Sequence, residues 1–149
     1  MLKTQLLHPD ILDVLGRAGH GSKILIADGN YPALTTLGPN ATLVSLNLSP
    51  GVVTCTQILD ALVSAVPIEA VATMAYTTSG PYALDGDPPI WAEFRHILNC
   101  AGAPTDFEQI ERMAFYEVAE QPDVCLTIVS ADQRIYANLM ITIGVIKPG

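Results

Sequence analysis

The chain has 149 residues, half of them hydrophobic and only 15% charged, and carries a net charge of −8. That length suits one domain with a sizeable core, while the acidity and the absence of any Lys/Arg cluster exclude a nucleic-acid backbone as partner. No apolar run reaches the roughly 18 residues of a membrane span.

Residues 1–8 lack a long apolar stretch and run straight into Pro9, so no signal peptide is expected. Cys55, Cys100 and Cys125 are odd in number, widely spaced and without CxxC or Cys/His ligand spacing. They read as buried thiols of a protein in a reducing, cytoplasmic setting.

The first predicted helix starts at His8-Pro9-Asp10, with proline in the first turn and an aspartate favourable to the helix dipole. Ile11, Leu12, Leu15 and Ala18 form its apolar face and Gly19 ends it. Gly19-His20-Gly21 follows, and then residues 24–27, Ile-Leu-Ile-Ala, which have the length and branching of a buried strand. Asp28-Gly29 punctuates its end. Residues 42–46 are a second short strand. Ser49-Pro50 is expected to cap a helix over residues 51–65, stopped by Pro67.

Residues 70–76 read as a strand, and the Gly/Pro/Ser/Asp-rich segment 77–89 as a loop long enough to form a rim or lid. Residues 89–100 form a helix with Trp91, Phe94 and Ile97 spaced for burial. Residues 107–120 combine helical propensity with a candidate short strand near 110–114. Strands follow at 124–129 and 135–145; the turn at 130–133 allows them to pair as an antiparallel hairpin. Helices alternating with strands, closed by such a hairpin, predict a single α/β domain with a mixed sheet flanked by helices.

The groups suited to chemistry are few. Glycines on both sides leave the His20 imidazole uncrowded, and an imidazole exchanges protons near neutral pH. Asp28 either makes turn hydrogen bonds or accepts bonds from a polar ligand. Five strand residues at roughly 3.3 Å each span about 16 Å, so His20 and Asp28 meet only if the histidine loop folds back or a neighbouring subunit completes the site. Tyr136 and Asn138, two apart in the expected last strand, point to one face as a phenol and amide suited to bonding hydroxyl groups. Arg112 and Tyr116 share a face if helical. No phosphate loop, zinc signature, GxSxG elbow or dinucleotide fingerprint is present, so no metal or cofactor is expected. The remaining set suits a small polyhydroxylated ligand.

Taken together, Gly19-His20-Gly21, Ala27-Asp28, Tyr31-Pro32-Ala33, the run from Glu111-Arg112-Met113 through Ala114-Phe115-Tyr116-Glu117, and Tyr136-Ala137-Asn138 resemble the RbsD/FucU family of sugar mutarotases. The resemblance implies that His20 is the proton donor and that Asp28, Arg112, Tyr116, Tyr136, Ala137 and Asn138 contact sugar. It further implies a homo-oligomeric, typically decameric, ring with sites near subunit contacts. Arg112 with Ala114-Phe115-Tyr116-Glu117 leans toward the L-fucose mutarotase branch rather than the D-ribose pyranase branch.

The expected activity is therefore cofactor-free interconversion of monosaccharide anomers. A non-catalytic sugar-binding protein and a purely structural oligomer are the rival readings of the same residues.

Overall fold

The computed structural model describes residues 1–149. In chain order the elements are α1 (Pro9–Arg17), β1 (Lys23–Ala27), β2 (Thr42–Ser45), α2 (Cys55–Val63), β3 (Ile68–Met74), α3 (Pro89–Cys100), β4 (Phe107–Ile110), α4 (Arg112–Ala119), β5 (Val124–Val129) and β6 (Leu139–Ile143). The six strands form one sheet in the order β2-β5-β1-β6-β3-β4. β1 runs parallel to β5, β5 to β2, and β3 to β4, whereas β6 lies antiparallel between β1 and β3.

The period-2 alternation of the strands divides the core in two. Ile24 and Ile26 of β1, with Leu126 and Ile128 of β5 and Leu139 and Ile141 of β6, face one side. Against them pack Ile11 and Val14 of α1, Ile58, Leu59 and Leu62 of α2, and Ile90, Trp91, Phe94 and Leu98 of α3. Leu25, Ala27, Ala72, Met74 and Met140 face the other side, covered by Phe115 and Ala119 of α4 and by Tyr31 and Ala33. β1 is buried on both faces, as its unbroken apolar run requires.

Four expectations need correction. The C-terminal hairpin is absent: β5 finds its partners in β1 and β2, and β6 inserts between β1 and β3. Residues 130–138 are consequently a crossing loop rather than a turn plus a strand start, so Tyr136 and Asn138 lie outside β6. The second helix begins later than Ser49-Pro50 suggested. Thr54 is its N-cap, and a reciprocal capping box with Gln57 satisfies two backbone donors at once. Finally, residues 107–120 resolve into strand β4 followed by α4, whose first turn is capped by the Glu111 carboxylate. The strand lies three residues earlier than expected, meeting the 110–114 segment only at Ile110.

The three cysteines are free, with Cys55 buried and Cys125 partly so, but Cys100 is exposed at the end of α3. Burial pushes the Cys55 thiol up to about 12, keeping it protonated and unreactive. No helix is long and apolar enough to cross a membrane.

Candidate functional site

The antiparallel placement of β6 determines where the site forms. Because Ile26 of β1 and Thr73 of β3 both pair with Leu139, and Met74 pairs with Ile110, the ends of β1, β3 and β4 converge with the start of β6. The segments leaving those strands therefore open onto one edge of the sheet, where parallel α/β sheets form their clefts.

A cleft of about 630 Å³ lies there. Asp28 and Asn30 enter it after β1, Tyr76 and Thr77 after β3, Glu111 and Arg112 after β4, and Tyr136 and Asn138 before β6. Ser79, Pro81 and Tyr82 of the 77–88 segment form part of its rim, as the predicted loop suggested.

Asp28 is 4% exposed. Its carboxylate accepts from Asn30 N–H at 2.9 Å, and its own N–H donates to the Asn138 side-chain oxygen at 2.8 Å. Burial holds the Asp28 carboxyl above the ordinary carboxylate range, with the Asn30 and Ala137 N–H groups opposing the rise. Asn138 is thus committed through its oxygen to the turn, leaving its NH₂ as a donor.

Ala137 is fully buried, its methyl in the core, and only its backbone reaches the Asp28 carboxylate. Tyr31, missed as a cleft residue in the sequence, packs edge-on against Tyr116 at 5.6 Å and Phe115 at 6.3 Å. Burial pushes its phenol up to about 12, so it remains neutral at physiological pH.

Tyr136 takes a left-handed conformation, φ 57°, the only non-glycine residue to do so. That conformation costs free energy for a bulky side chain and marks functional segments more often than scaffold. The strain is held by its surroundings: Trp91 Nε1 donates to Tyr136 O at 2.9 Å, and the Tyr136 ring lies edge-on to Tyr76 at 6.3 Å. The Tyr136 hydroxyl accepts from Thr77 N–H at 3.3 Å and donates to Tyr82 O at 3.0 Å. It thereby ties the 77–88 rim to the cleft and offers the ligand mainly its ring and one remaining lone pair.

The loop carrying Tyr136 and Asn138 is anchored from behind. Asp132, 2% exposed, accepts from Cys55 N–H at 3.0 Å, from Arg134 N–H at 3.1 Å, from Arg134 Nε at 2.9 Å and from Arg134 Nη2 at 2.7 Å. Burial raises the Asp132 carboxyl, but the bonds from Arg134 and Cys55 together outweigh it and hold the group below its usual range. Arg134 also reaches Glu93 of α3 at 2.9 Å, and Gly29 N–H donates to Asp132 O at 2.8 Å. Neither Asp132 nor Arg134 stood out in the sequence, because an Asp-x-Arg in a turn is ordinary surface composition. Glu111 entered the sequence reading only as part of the motif that runs from it to Glu117; its carboxylate accepts from Met113 N–H at 2.9 Å and Ala114 N–H at 3.2 Å, and those bonds hold it below the ordinary carboxylate range.

Five of the sequence candidates thus line one cleft: Asp28, Arg112, Tyr116, Tyr136 and Asn138. His20 does not. It precedes β1, at the opposite edge of the sheet, and lines a separate open cleft with Arg17, Ser22 and Asn40. Its Nε2 lies 2.9 and 3.0 Å from the two carboxylate oxygens of Glu69. Within one chain, the imidazole and the tyrosine-lined cleft stand at opposite ends of β1.

The sequence pattern of the RbsD / FucU transport protein family matches residues 1–146. A fucose mutarotase from Danio rerio is 30% identical over 150 residues, covering 96% of this chain and 92% of the relative. The crystal structure of FucU from Bifidobacterium longum superposes with a TM-score of 0.76 at 30% identity, covering 94% of this chain and 95% of that one. The fucose mutarotase of Streptococcus pneumoniae, crystallised in complex with L-fucose, has a TM-score of 0.80 at 23% identity, covering 99% of this chain and 100% of that one, and shares the fold. The chain belongs to the RbsD / FucU family.

Proposed function

We propose that this member of the family is a cofactor-free monosaccharide mutarotase with L-fucose as its leading substrate, acting at sites shared between neighbouring subunits of a cytoplasmic ring-shaped homo-oligomer, a decamer by family resemblance. The observation that carries the reading is the division of the chemistry within one chain. A cleft rich in hydrogen-bonding groups and tyrosines lies at one end of β1, and an exposed imidazole at the other. A head-to-tail contact, which closes into a ring when repeated, brings the His20 edge of one subunit over the Asp28 cleft of the next.

In that arrangement Asp28 accepts hydrogen bonds from sugar hydroxyls, while Asn138 NH₂ and Arg112 donate to sugar oxygens. Tyr116 and Tyr136 supply aromatic walls for the C–H faces of the ring. His20 handles the protons. Ring opening takes a proton from the anomeric hydroxyl and gives one to the ring oxygen as the C1–O5 bond breaks and the C1 carbonyl forms. Rotation about C1–C2 and the reverse transfers yield the other anomer. A positioned acid/base contributes about 10²–10⁴-fold to such a step, and the fixed pose in the cleft adds to it.

The test is saturation transfer between the anomeric protons of L-fucose, and then of D-ribose, with and without protein. Faster exchange of L-fucose supports the reading, and its loss in His20→Ala with binding retained places the proton chemistry on His20. Faster pyranose–furanose exchange of D-ribose with L-fucose unaffected would move the protein to the ribose branch. Binding without acceleration of either sugar would leave a sugar-binding protein.

A further inference from the structure

We infer that Glu111 is a further sugar-binding residue: its Oε1 accepts a hydrogen bond from one sugar hydroxyl while the neighbouring Arg112 donates to the next, so that the pair selects sugars with two adjacent hydroxyls on that side of the ring. The inference rests on the reading of the cleft as a monosaccharide site.

The two oxygens of the Glu111 carboxylate are used unequally. Both cap bonds of α4, from Met113 N–H at 2.9 Å and Ala114 N–H at 3.2 Å, end on Oε2. Oε1 accepts no hydrogen bond from the chain, and neither Glu111 nor Arg112 joins an ion pair. Both residues line the cleft and both are exposed there. A cap alone does not call for glutamate, because the strong cap formers are the short Ser, Thr, Asp and Asn. α2 uses Thr54 in that way, and α1 and α3 start at prolines without any side-chain cap. The longer Glu111 reaches the same amides and leaves a second acceptor over. The amides at the start of α4 are thus already occupied, and what remains for a ligand is a carboxylate oxygen beside a guanidinium.

The backbone fixes that oxygen in place. Ile110 pairs with Met74 and accepts from Ala75 N–H at 2.7 Å. One residue later, Glu111 O accepts from the N–H of the fully buried Phe115 at 2.8 Å. Glu111 is the sole residue between β4 and α4, so sheet and helix together set its position, and regular elements hold a site more closely than loops do. A carboxylate only accepts and a guanidinium only donates, whereas a sugar hydroxyl does both. The cap bonds also keep Glu111 ionised at neutral pH, by holding its carboxyl below the ordinary range. Asp28 and the Asn138 NH₂ form the same acceptor–donor couple elsewhere in the cleft. β1 and β4 are three strand spacings apart in the sheet, about 14 Å in all at about 4.8 Å each. The two couples therefore grip opposite sides of a ring lying across β6 and β3.

The experiment compares Glu111→Ser and Glu111→Gln with the wild-type protein, using L-fucose and its 2-, 3- and 4-deoxy analogues. kcat and KM come from saturation transfer, Tm from thermal unfolding and the oligomer mass from light scattering. Serine keeps a cap oxygen, so Glu111→Ser should hold the wild-type Tm to within about 2 °C while removing the free acceptor. Glutamine keeps the cap oxygen too but turns the other atom from acceptor into donor. Both variants should raise KM for L-fucose about tenfold or more, the worth of a hydrogen bond to a charged group, with kcat changed less than about twofold. One deoxy analogue should raise the wild-type KM by a similar factor and cost nothing further in Glu111→Ser, because the bond is already gone. A role confined to capping predicts instead a KM that follows Tm and an equal deoxy penalty in variant and wild type, and that result overturns the inference. If Glu111→Ser loses its fold, Glu111→Gln with the same analogues decides. Wild-type protein that turns over L-fucose beside variants with unchanged KM would sink this inference alone. Wild-type protein that neither binds nor exchanges L-fucose or D-ribose would sink the reading of the cleft, and the inference with it.

Discussion

Replacing Arg134 with methionine isolates what anchors the loop that carries Tyr136 and Asn138. The substitution keeps the aliphatic stem but removes the guanidinium, and with it two short bonds to a carboxylate that is 2% exposed, at 2.9 and 2.7 Å. Breaking a fully buried ion pair costs about 3–5 kcal/mol. Two features reduce that here: the Arg134 side chain is 38% exposed, and Asp132 keeps backbone donors from Cys55 and residue 134. A loss of about 2 kcal/mol at pH 7 is therefore expected, seen as a lower urea midpoint with an unchanged slope and a Tm lower by about 4–8 °C.

The pH dependence supplies the sharper check. The Asp132 carboxyl is depressed in the folded protein relative to its ordinary value of 3.8. Its contribution is therefore fully present above 3.8 and lost as the pH falls through the folded value. The gap between wild type and Arg134→Met should be constant from pH 7 to about 5 and close as the pH drops below 3.8. A gap under about 0.5 kcal/mol at pH 7, or one that persists unchanged through acid, would refute the assignment of the pair.

Three further outcomes follow from the same structure. Asp28→Asn removes a carboxylate whose folded pKa lies above 3.8, a group that costs stability once the pH has risen through that folded value. The variant should melt above wild type at pH 7 and lose this advantage below pH 3.8, while KM for sugar rises about tenfold from the lost charged acceptor. Trp91→Phe leaves Tyr136 O without its donor and should cost about 1–3 kcal/mol in urea unfolding, with a raised KM as the strained Tyr136 backbone relaxes. Tyr136→Phe keeps the ring but frees residues 77–88; limited proteolysis there should accelerate several-fold while global stability changes by less than about 1 kcal/mol.

Local chemistry was the part of this fold legible in the sequence. The Ile-Leu-Ile-Ala run of β1, the Pro9 helix start and the Trp91/Phe94 face of α3 each carry their own periodicity, and the structure has them in place. Strand partners carry no such signal. Residues 130–133 have the composition of a tight turn, yet a buried Asp132 holding Arg134 and the N-terminus of α2 makes them the start of a crossing loop. For that reason the hairpin was misread, and the shared face of Tyr136 and Asn138 was assigned to a strand that begins only at Leu139. Tyr31 was legible only as part of the Tyr31-Pro32-Ala33 motif, because its place at the cleft comes from packing against α4 and so depends on which strands become neighbours. For His20 and Asp28, by contrast, strand length narrowed the sequence reading to a folded-back loop or a shared site, and the structure keeps the two residues in separate clefts.

Mixing two variants, one lacking the imidazole and one with a weakened cleft, tests the shared site most directly. His20→Ala and Asp28→Asn, each purified alone, are dissociated, combined in equal amounts and reassembled, and L-fucose anomer exchange is measured on the mixture at a sugar concentration well below the wild-type KM, where Asp28→Asn alone keeps about a tenth of the rate. If each site takes its imidazole from one subunit and its cleft from the next, random reassembly restores about a quarter of wild-type activity, the chance that both halves of a contact are intact. A mixed oligomer, verified by mass, with no more activity than its parents would contradict the account: the histidine and the cleft would then have to serve the same site within one chain.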